Sequence, residues 1–268
     1  MTEVRWERLT AAEINEWAAR DATVILPVAA LEQHGPHLPV WTDSLIGHAT
    51  CIRAAELVAE DAPAIVLPPM WQGISEHHFP FGGTISLDFK TMQAVIACVA
   101  RSIQACGFRK LFLANSHGGN TEPLMVIARE LGAETGIPVV TATVHQAAAA
   151  AIAGILETQP GTMHACEAET SLWLALAPDQ VRQDKIAEAA VSHGGRSVGS
   201  SAFQRFWSFA ERAPGTGVRG DPRAATAEKG EAILAAMAEA LARGLRDPLL
   251  WSRPDDVWTP GRAGRAAQ

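Results

Sequence analysis

The sequence predicts an α/β fold in which a mainly parallel β-sheet lies between layers of helices. Short, β-branched apolar runs such as residues 23–30 are continuous rather than alternating, as in parallel strands that are buried on both faces. These runs alternate with longer segments of helical periodicity, and that alternation is typical of a sheet sandwiched between helices.

Each element has a local signal. Thr10-Ala-Ala-Glu13 is a capping box that begins a helix ending near Ala19. We predict strands at residues 23–30, 64–67, 111–114 and 139–144, and helices at residues 43–60, 88–106 and about 223–244, with helices also after the third and fourth strands. Residues 70–87 form a long loop of the kind that is usually functional, residues 191–220 are irregular, and a tail from about residue 247 is extended. The simplest organisation is one domain spanning residues 1–268.

The composition limits the classes of partner. The 268-residue chain carries 22 Lys and Arg against 29 Asp and Glu, a net charge of −7, without a basic cluster, which argues against nucleic acid and anionic membranes. No apolar run reaches the roughly 20 residues that span a bilayer, and the charged N-terminus is not a secretory signal. Four cysteines without CxxC spacing fit a reducing compartment, so we expect a cytoplasmic protein.

The segment after the first strand carries candidate metal ligands. Glu32 and His34 are two residues apart, so they point the same way in an extended chain, and Gly35-Pro36 then turns the chain toward Asp43 at the start of the next helix. Ligands gather at the carboxyl ends of parallel strands, and carboxylates with an imidazole suit Zn, Mn or Fe(II). Taken singly, Asp43 is better explained as an ordinary helix cap and His34 as an ordinary loop histidine. The three together favour a metal site.

Two further motifs follow later strands. Asn115-Ser-His-Gly-Gly-Asn120 comes after the third strand, where His117 is a candidate fourth ligand, although a plain tight turn explains the glycines nearly as well. His164 opens a segment that contains Glu167 and Glu169, and a histidine ordinarily titrates near neutrality, so His164 is a candidate general acid and base. Glu167 could instead complement the positive end of a helix.

These three motifs together resemble the creatininase (creatinine amidohydrolase) family. The first of them, Glu32-Gln-His-Gly-Pro-His-Leu-Pro followed by Thr42-Asp43, is the most specific. Weaker similarity in His77-His78-Phe79-Pro80 and Gly220-Asp-Pro extends the resemblance over about residues 8–245. The resemblance implies a compact three-layer α/β/α fold, two divalent metal ions per chain, hydrolysis of a cyclic or linear amide, and assembly as a homo-oligomer, often a hexamer.

By position, the resemblance assigns roles to five residues. Glu32 and His117 would hold one metal ion and His34 the other, Asp43 would bridge the two ions, and His164 matches the histidine that acts as acid and base. The ions are expected to be zinc, manganese or iron.

The sequence departs from the family at one point. Members that act on creatinine carry a Tyr-Glu pair where this chain has Gly118-Gly119, and that Glu binds metal. We expect Glu169 to supply the missing ligand, with Glu167 as the reserve. The residues expected on the substrate side are Trp71, His78, Gly118, Gly119 and Trp173. Core packing explains the tryptophans equally well.

The expected activity is hydrolysis of a C–N bond in a small molecule, and the loss of the Tyr-Glu pair disfavours creatinine itself. Other branches of the family act on formamides, on a peptide-derived cofactor precursor or on sugar-derived rings, and the sequence does not choose among them. Two rivals are a metal-dependent lyase or isomerase with the same ligands, and a non-catalytic assembly stabilised by a structural metal ion, whose coordination would be closed.

Overall fold

The computed structural model describes residues 2–190, 205–255 and 257–258, and within them a four-stranded sheet has helices on both faces. The strands are β1 (Thr23–Val28), β2 (Ala64–Val66), β3 (Leu111–Asn115) and β4 (Val139–Thr143). Their order is β2-β1-β3-β4, and all three pairings are parallel. The predicted fold class is confirmed, and each predicted strand agrees with the observed one to within about two residues.

The helices also follow the predicted alternation. They are α1 (Ala11–Ala19), α2 (Thr42–Leu57), α3 (Phe89–Ala105), α4 (Thr121–Thr135), α5 (Val144–Ala147), α6 (Ala149–Ala153), α7 (Glu167–Leu176), α8 (Ile186–Ala189), α9 (Phe209–Arg212) and α10 (Ala227–Arg246). The capping box of α1 is confirmed, with the Thr10 N–H donating to Glu13 Oε2 at 2.7 Å. Helix α10 begins later than predicted because Thr226 caps it, accepting from the Lys229 N–H at 3.2 Å.

The strand order creates a topological switch between β1 and β3. From β1 the chain moves outward to β2 and then returns across β1 to β3, so right-handed crossovers put α2 on one face and α3 on the other. Helix α4 packs beside α3, whereas α2 packs with α7 and α10. In open parallel sheets, ligands bind in the crevice at such a switch, beyond the carboxyl ends of the strands. The segments that follow β1 and β3 therefore start where a site is expected.

The sheet gives these segments a buried base. Every residue of β1, β2 and β3 is buried, and only β4, at the edge, is largely half-buried. The predicted long loop at residues 70–87 contains the 3₁₀ helix Glu76–Phe81. None of the helices in the described part of the chain has the length and apolar character needed to cross a bilayer.

Two predictions fall partly outside the described residues. The irregular stretch at residues 191–220 is described only from residue 205, where it includes α9. The extended tail is described as far as residue 255 and again at 257–258. It turns at residues 248–251, where Trp251 packs on Phe112 with ring centroids 6.1 Å apart.

Candidate metal centre

Glu32 and His34 lie in a tight turn beyond the carboxyl end of β1. A bridge between His34 and Leu38 closes the turn, and Gly35 has a φ of +68°. A side chain at Gly35 would be strained by that φ and would also meet Val218 Cγ2 at 2.5 Å, so glycine is required. The turn brings both candidate ligands close to Asp43, which lies in the first turn of α2.

Five candidate ligands converge, with Asp43 at the centre. Asp43 Oδ2 lies 3.2 Å from His117 Nδ1, and Glu32 Oε2 lies 3.3 Å from the same nitrogen. Asp43 Oδ1 lies 3.5 Å from His34 Nε2, and Glu169 Oε2, from α7, lies 4.0 Å from that nitrogen. The two oxygens of Asp43 therefore face two separate groups of ligand atoms.

Hydrogen bonds determine which nitrogen of each histidine faces the cluster. His34 Nδ1 lies 3.1 Å from the Glu32 carbonyl oxygen, and His117 Nε2 lies 3.1 Å from the Ile74 carbonyl oxygen. Donation of one N–H to a carbonyl leaves the other ring nitrogen with a lone pair for a metal ion. Among the described residues, the buried atoms Glu32 Oε2, His34 Nε2 and Asp43 Oδ2 have no hydrogen-bond partner. Buried polar atoms are seldom left this way, so the donor set fits divalent metal ions.

The negative charges of the cluster also favour the binding of cations. Burial disfavours the charged form of His34, but the Asp43 carboxylate outweighs it and raises the pKa of His34 to about 9. Glu32 and Asp43 likewise overcome burial at His117 and hold its pKa well above the ordinary value. Burial raises the pKa of Glu169 to about 7. The cluster thus concentrates negative charge that retains protons, and divalent cations compete for the same atoms.

Glu167 and Glu169 have different surroundings although both lie in the first turn of α7. Glu169 faces His34, and its Oε2 accepts a hydrogen bond from the N–H of Ala165, a residue held at a φ of 52°. Glu167 is fully buried, and its oxygens accept from four structural donors, Glu157 N, Thr158 N, Thr158 Oγ1 and Lys229 Nζ. The structure therefore brings Glu169 to the cluster and leaves Glu167 outside it.

Gln33 connects two further histidines to the cluster. Its Oε1 accepts from the Gly35 N–H at 2.9 Å, which orients the amide so that Nε2 lies 3.0 Å from both His78 Nδ1 and His164 Nε2. His78 Nε2 lies 3.2 Å, and His164 Nδ1 3.7 Å, from Glu32 Oε1. Burial holds the pKa of His164 well below its ordinary value. The predicted acid and base is thus a neutral imidazole at the edge of the ligand cluster.

Four of the five cluster residues, Glu32, Asp43, His117 and Glu169, line a cavity of about 450 Å³. Three residues predicted on the substrate side, His78, Gly118 and Gly119, line it as well. The sequence analysis did not identify several other lining residues, among them His77, Glu122, His145, Arg205, Phe209, Arg212 and Arg219. Of these, His145 had a usable signal, because it follows β4 directly as His117 follows β3.

Two residues predicted on the substrate side, Trp71 and Trp173, do not line the cavity in the described part of the chain. Trp173 is 1% exposed, and its Nε1–H donates to Thr42 Oγ1 at 2.8 Å. It packs in a small apolar cluster with Leu38 and Val181 and so supports the start of α2. Trp71 is half-buried and does not reach the cavity wall. Proximity to a motif in the sequence did not determine the direction of either ring.

Known proteins resemble the chain over most of its length. The sequence profile of the creatininase family, described as creatinine amidohydrolase, matches residues 7–245. A mycofactocin precursor peptide peptidase from Mycobacterium ulcerans (strain Agy99) is 32% identical, covering 90% of this chain and 88% of that protein. A creatinine amidohydrolase from Pseudomonas putida is 31% identical, with coverages of 86% and 91%.

Solved structures agree with the sequence comparisons. A structure described as creatininase Mn is 30% identical and superposes with a TM-score of 0.76, covering 91% of this chain and 98% of the other. Another creatininase structure, of a variant described as the Zn-Zn type, is also 30% identical, with a TM-score of 0.73 over 92% and 98%. The chain therefore belongs to the creatininase family and is a metal-dependent amidohydrolase.

Proposed function

We propose that the chain is a binuclear hydrolase that cleaves a C–N bond in a small amide. The observation that carries this proposal is the position of Asp43, whose two oxygens lie 3.2 Å and 3.5 Å from nitrogens of different ligand groups. Glu32 and His117 would hold one ion, His34 and Glu169 would hold the other, and Asp43 would serve both. The ligand types suit zinc, manganese or iron.

The protein itself would move the protons. Divalent ions held by these residues would supply a water ligand whose pKa is lowered from about 16 toward about 7, and would polarise a carbonyl group. His164 is neutral near pH 7, and its Nε2 lies 2.8 Å from the Gln33 carbonyl oxygen. With the Nε2–H donated to that carbonyl, Nδ1 carries the lone pair. Nδ1 can accept a proton from the attacking water and return it to the leaving nitrogen.

Phe209 would exclude water from this proton transfer. Its ring stacks on His78 with centroids 4.1 Å apart and meets the His164 ring at 4.6 Å. An apolar cover over two imidazoles lowers the local dielectric and strengthens the electrostatic contacts made inside.

The substrate is better described as an amide other than creatinine. Gly118 and Gly119 place no ring and no charge where creatinine-specific members of the family carry Tyr and Glu. The relatives' names describe a peptidase and an amidohydrolase, and one shorter match, to a 3-dehydro-scyllo-inosose hydrolase from Thermotoga maritima, is 30% identical over 44% of this chain and 37% of that protein. Hydrolysis of an amide is therefore favoured over the opening of a sugar-derived ring.

Metal content and turnover test the proposal together. Elemental analysis of the purified protein should give close to two divalent ions per chain, and one ion at full activity would refute the binuclear site. The metal-loaded protein should hydrolyse an amide from a panel of formamides and short peptides with kcat/KM of about 10⁴ M⁻¹s⁻¹ or above. Creatinine turned over at that rate would refute the substrate assignment. Products whose combined mass exceeds that of the substrate by one water exclude the lyase and isomerase rivals.

Assembly and location stay predictions. A homo-oligomer, in the hexameric form that is frequent in the family, is checked by sedimentation of the purified protein, and the cytoplasmic location by fractionation of cells that express it.

A further inference from the structure

Three arginines line the cavity, Arg205, Arg212 and Arg219, and the last two lie on segments that pack against the ligand cluster. Arg212 ends α9, the short helix whose Phe209 stacks on His78. Arg219 lies opposite His164, with backbone hydrogen bonds of 3.2 Å from His164 N–H to Arg219 O and 2.8 Å from Arg219 N–H to His164 O. Both guanidinium groups are therefore held by segments that pack directly on the proposed catalytic residues.

Neither guanidinium has an acidic partner in the described part of the chain. Arg212 Nε is buried without a hydrogen-bond partner, and no ion pair is formed by Arg212 or Arg219 there. By contrast, Arg205 pairs with Glu211 at 2.8 Å and Arg223 pairs with Asp221 at 2.5 Å. A buried donor of this kind costs stability unless something that is absent from the chain itself accepts from it.

The charges around the pair favour an added anion. Burial lowers the pKa of Arg212, the neighbouring charge of Arg219 lowers it further, and Glu122 opposes both effects without forming an ion pair. Glu76 also lines the cavity, and both glutamates are exposed to solvent. Two like charges held together in a partly buried wall repel each other, and an anion bound between them relieves that repulsion while forming charge-assisted hydrogen bonds.

We infer that Arg212 and Arg219 form a binding site for an anionic group of the substrate, either a carboxylate or a phosphate. Binding of the anion does not depend on the proposed function. Its role in hydrolysis does rest on that function, because the bound anion would direct the scissile amide toward Asp43 and His164. The substrate class is thus an acylated amino acid, a peptide terminus or a comparable amide with an acidic group close to the C–N bond. Creatinine carries no such group.

Matched ligands test the anion site on the metal-loaded full chain. Titration calorimetry would compare N-acetylglycine, which has a carboxylate, with N-acetylglycinamide, in which a neutral amide replaces it. We expect wild-type protein to bind the carboxylate at least about tenfold more tightly. Arg212→Gln and Arg219→Gln should each reduce that preference, and the double variant should abolish it. Arg205→Gln is the matched control and should keep the preference, because Arg205 is already paired with Glu211.

Three results separate the possible outcomes. Equal binding of the two ligands by wild-type protein overturns the inference, and so does a carboxylate preference that survives in the double variant, since the carboxylate would then bind only the metal ions. N-acetylaminomethylphosphonate provides the phosphate arm, and arginine-dependent binding of either anion supports the site and identifies its source. If Arg212→Gln fails to fold, judged by its thermal unfolding, Arg219→Gln alone tests the site, and an undiminished carboxylate preference in that variant overturns the inference.

A hydrolysis assay distinguishes failure of the proposed hydrolase function from failure of the anion site. Release of formate from neutral N-formylglycinamide, with no arginine-dependent preference for anions, would support the hydrolase function and refute the anion site. Arginine-dependent binding of anions, with no amide of the panel hydrolysed, would support the anion site and refute the hydrolase function.

Discussion

Glu167 and Glu169 offer a matched pair of substitutions, because they lie two residues apart on α7 and contact different groups. Glu167→Gln removes the negative charge that faces Lys229 Nζ at 2.6 Å and turns one acceptor into a donor opposite the Thr158 N–H. Hydrogen bonds to a charged group contribute about 1.5–3 kcal/mol each and are not additive when they share that group. We therefore expect the free energy of unfolding to fall by about 2–4 kcal/mol.

The measurement is chemical unfolding at pH 7 combined with elemental analysis. A loss of that size corresponds to a decrease in Tm of about 5–15 °C for a chain of this length. Metal content of Glu167→Gln should be unchanged. Glu169→Gln should show the reverse pattern, because its amide oxygen still accepts from the Ala165 N–H while the ligand charge is gone. Its stability without metal should change by less than about 1 kcal/mol, and its metal affinity should fall at least about 10–100-fold. Metal loss in Glu167→Gln with unchanged stability would refute this reasoning.

The Glu167 carboxylate also predicts how the stability of the protein depends on pH. Burial opposes ionisation of Glu167, but hydrogen bonds from Lys229 and Thr158 outweigh it and lower its pKa below the ordinary 4.5. A carboxyl group whose pKa is lowered by folding stabilises the protein above the unfolded-state pKa, and this contribution is lost as the pH falls through the folded-state pKa. The stability difference between wild type and Glu167→Gln should thus be full at pH 7 and should shrink below about pH 4.5. A difference that stays constant to about pH 3 would contradict the assignment.

Two further substitutions test the centre of the site. Asp43→Ala should remove both ions together, measured by elemental analysis, because its two oxygens face both ligand groups, and a variant that keeps two tightly bound ions would show that the bridge is assigned wrongly. Gln33→Leu should lower kcat by about 10–100-fold with little change in metal content, because its amide donates to His78 Nδ1 without being a ligand, and the His78 ring contacts the His164 ring with centroids 4.8 Å apart. An unchanged kcat would exclude that positioning role.

The sheet and the first ligand turn were predictable because their causes are local. A continuous apolar run marks β1 as a central strand, and Gly35-Pro36 marks a turn directly after it. Two ligand-bearing segments that follow neighbouring parallel strands must meet at the same edge of the sheet. Glu32, His34, Asp43 and His117 therefore converge, as the residues alone indicated.

The features of the site that the sequence did not predict depend on contacts between segments that are distant in the chain. Lys229 and Thr158 decide which of the two glutamates faces the cluster, because both donate hydrogen bonds to the Glu167 carboxylate and leave Glu169 as the candidate ligand. The direction of the Trp173 ring is decided by Thr42, 131 residues away in the sequence. Arg212 and Arg219 lie in a stretch without periodicity, so no pattern marked them as part of the cavity wall. Long-range partners of this kind leave no spacing signal in a single sequence.

Gly118 and Gly119 are adjacent, yet the space around them differs, and this gives a last prediction. Among the described residues, a Cβ at Gly118 would meet nothing within 4 Å, whereas a Cβ at Gly119 would lie 2.4 Å from the Ile74 carbonyl oxygen and 2.5 Å from His117 Nε2. These two atoms form the 3.1 Å contact that orients the His117 ring toward the ligand cluster. Gly119→Ala should therefore cost about 1–3 kcal/mol of stability through overpacking and weaken metal binding by about 10–100-fold.

Gly118→Ala is the matched control for Gly119→Ala and should keep both its stability and its metal content in the same unfolding and elemental assays. Wild-type metal affinity in Gly119→Ala would show that the loop yields without disturbing His117. If the loop does not yield, a glutamate at position 119 cannot be accommodated against the Ile74 carbonyl in this chain. In the proposed binuclear site the carboxylate for the second ion would then come from another segment, and Glu169 on α7 is the residue that lies close enough to supply it.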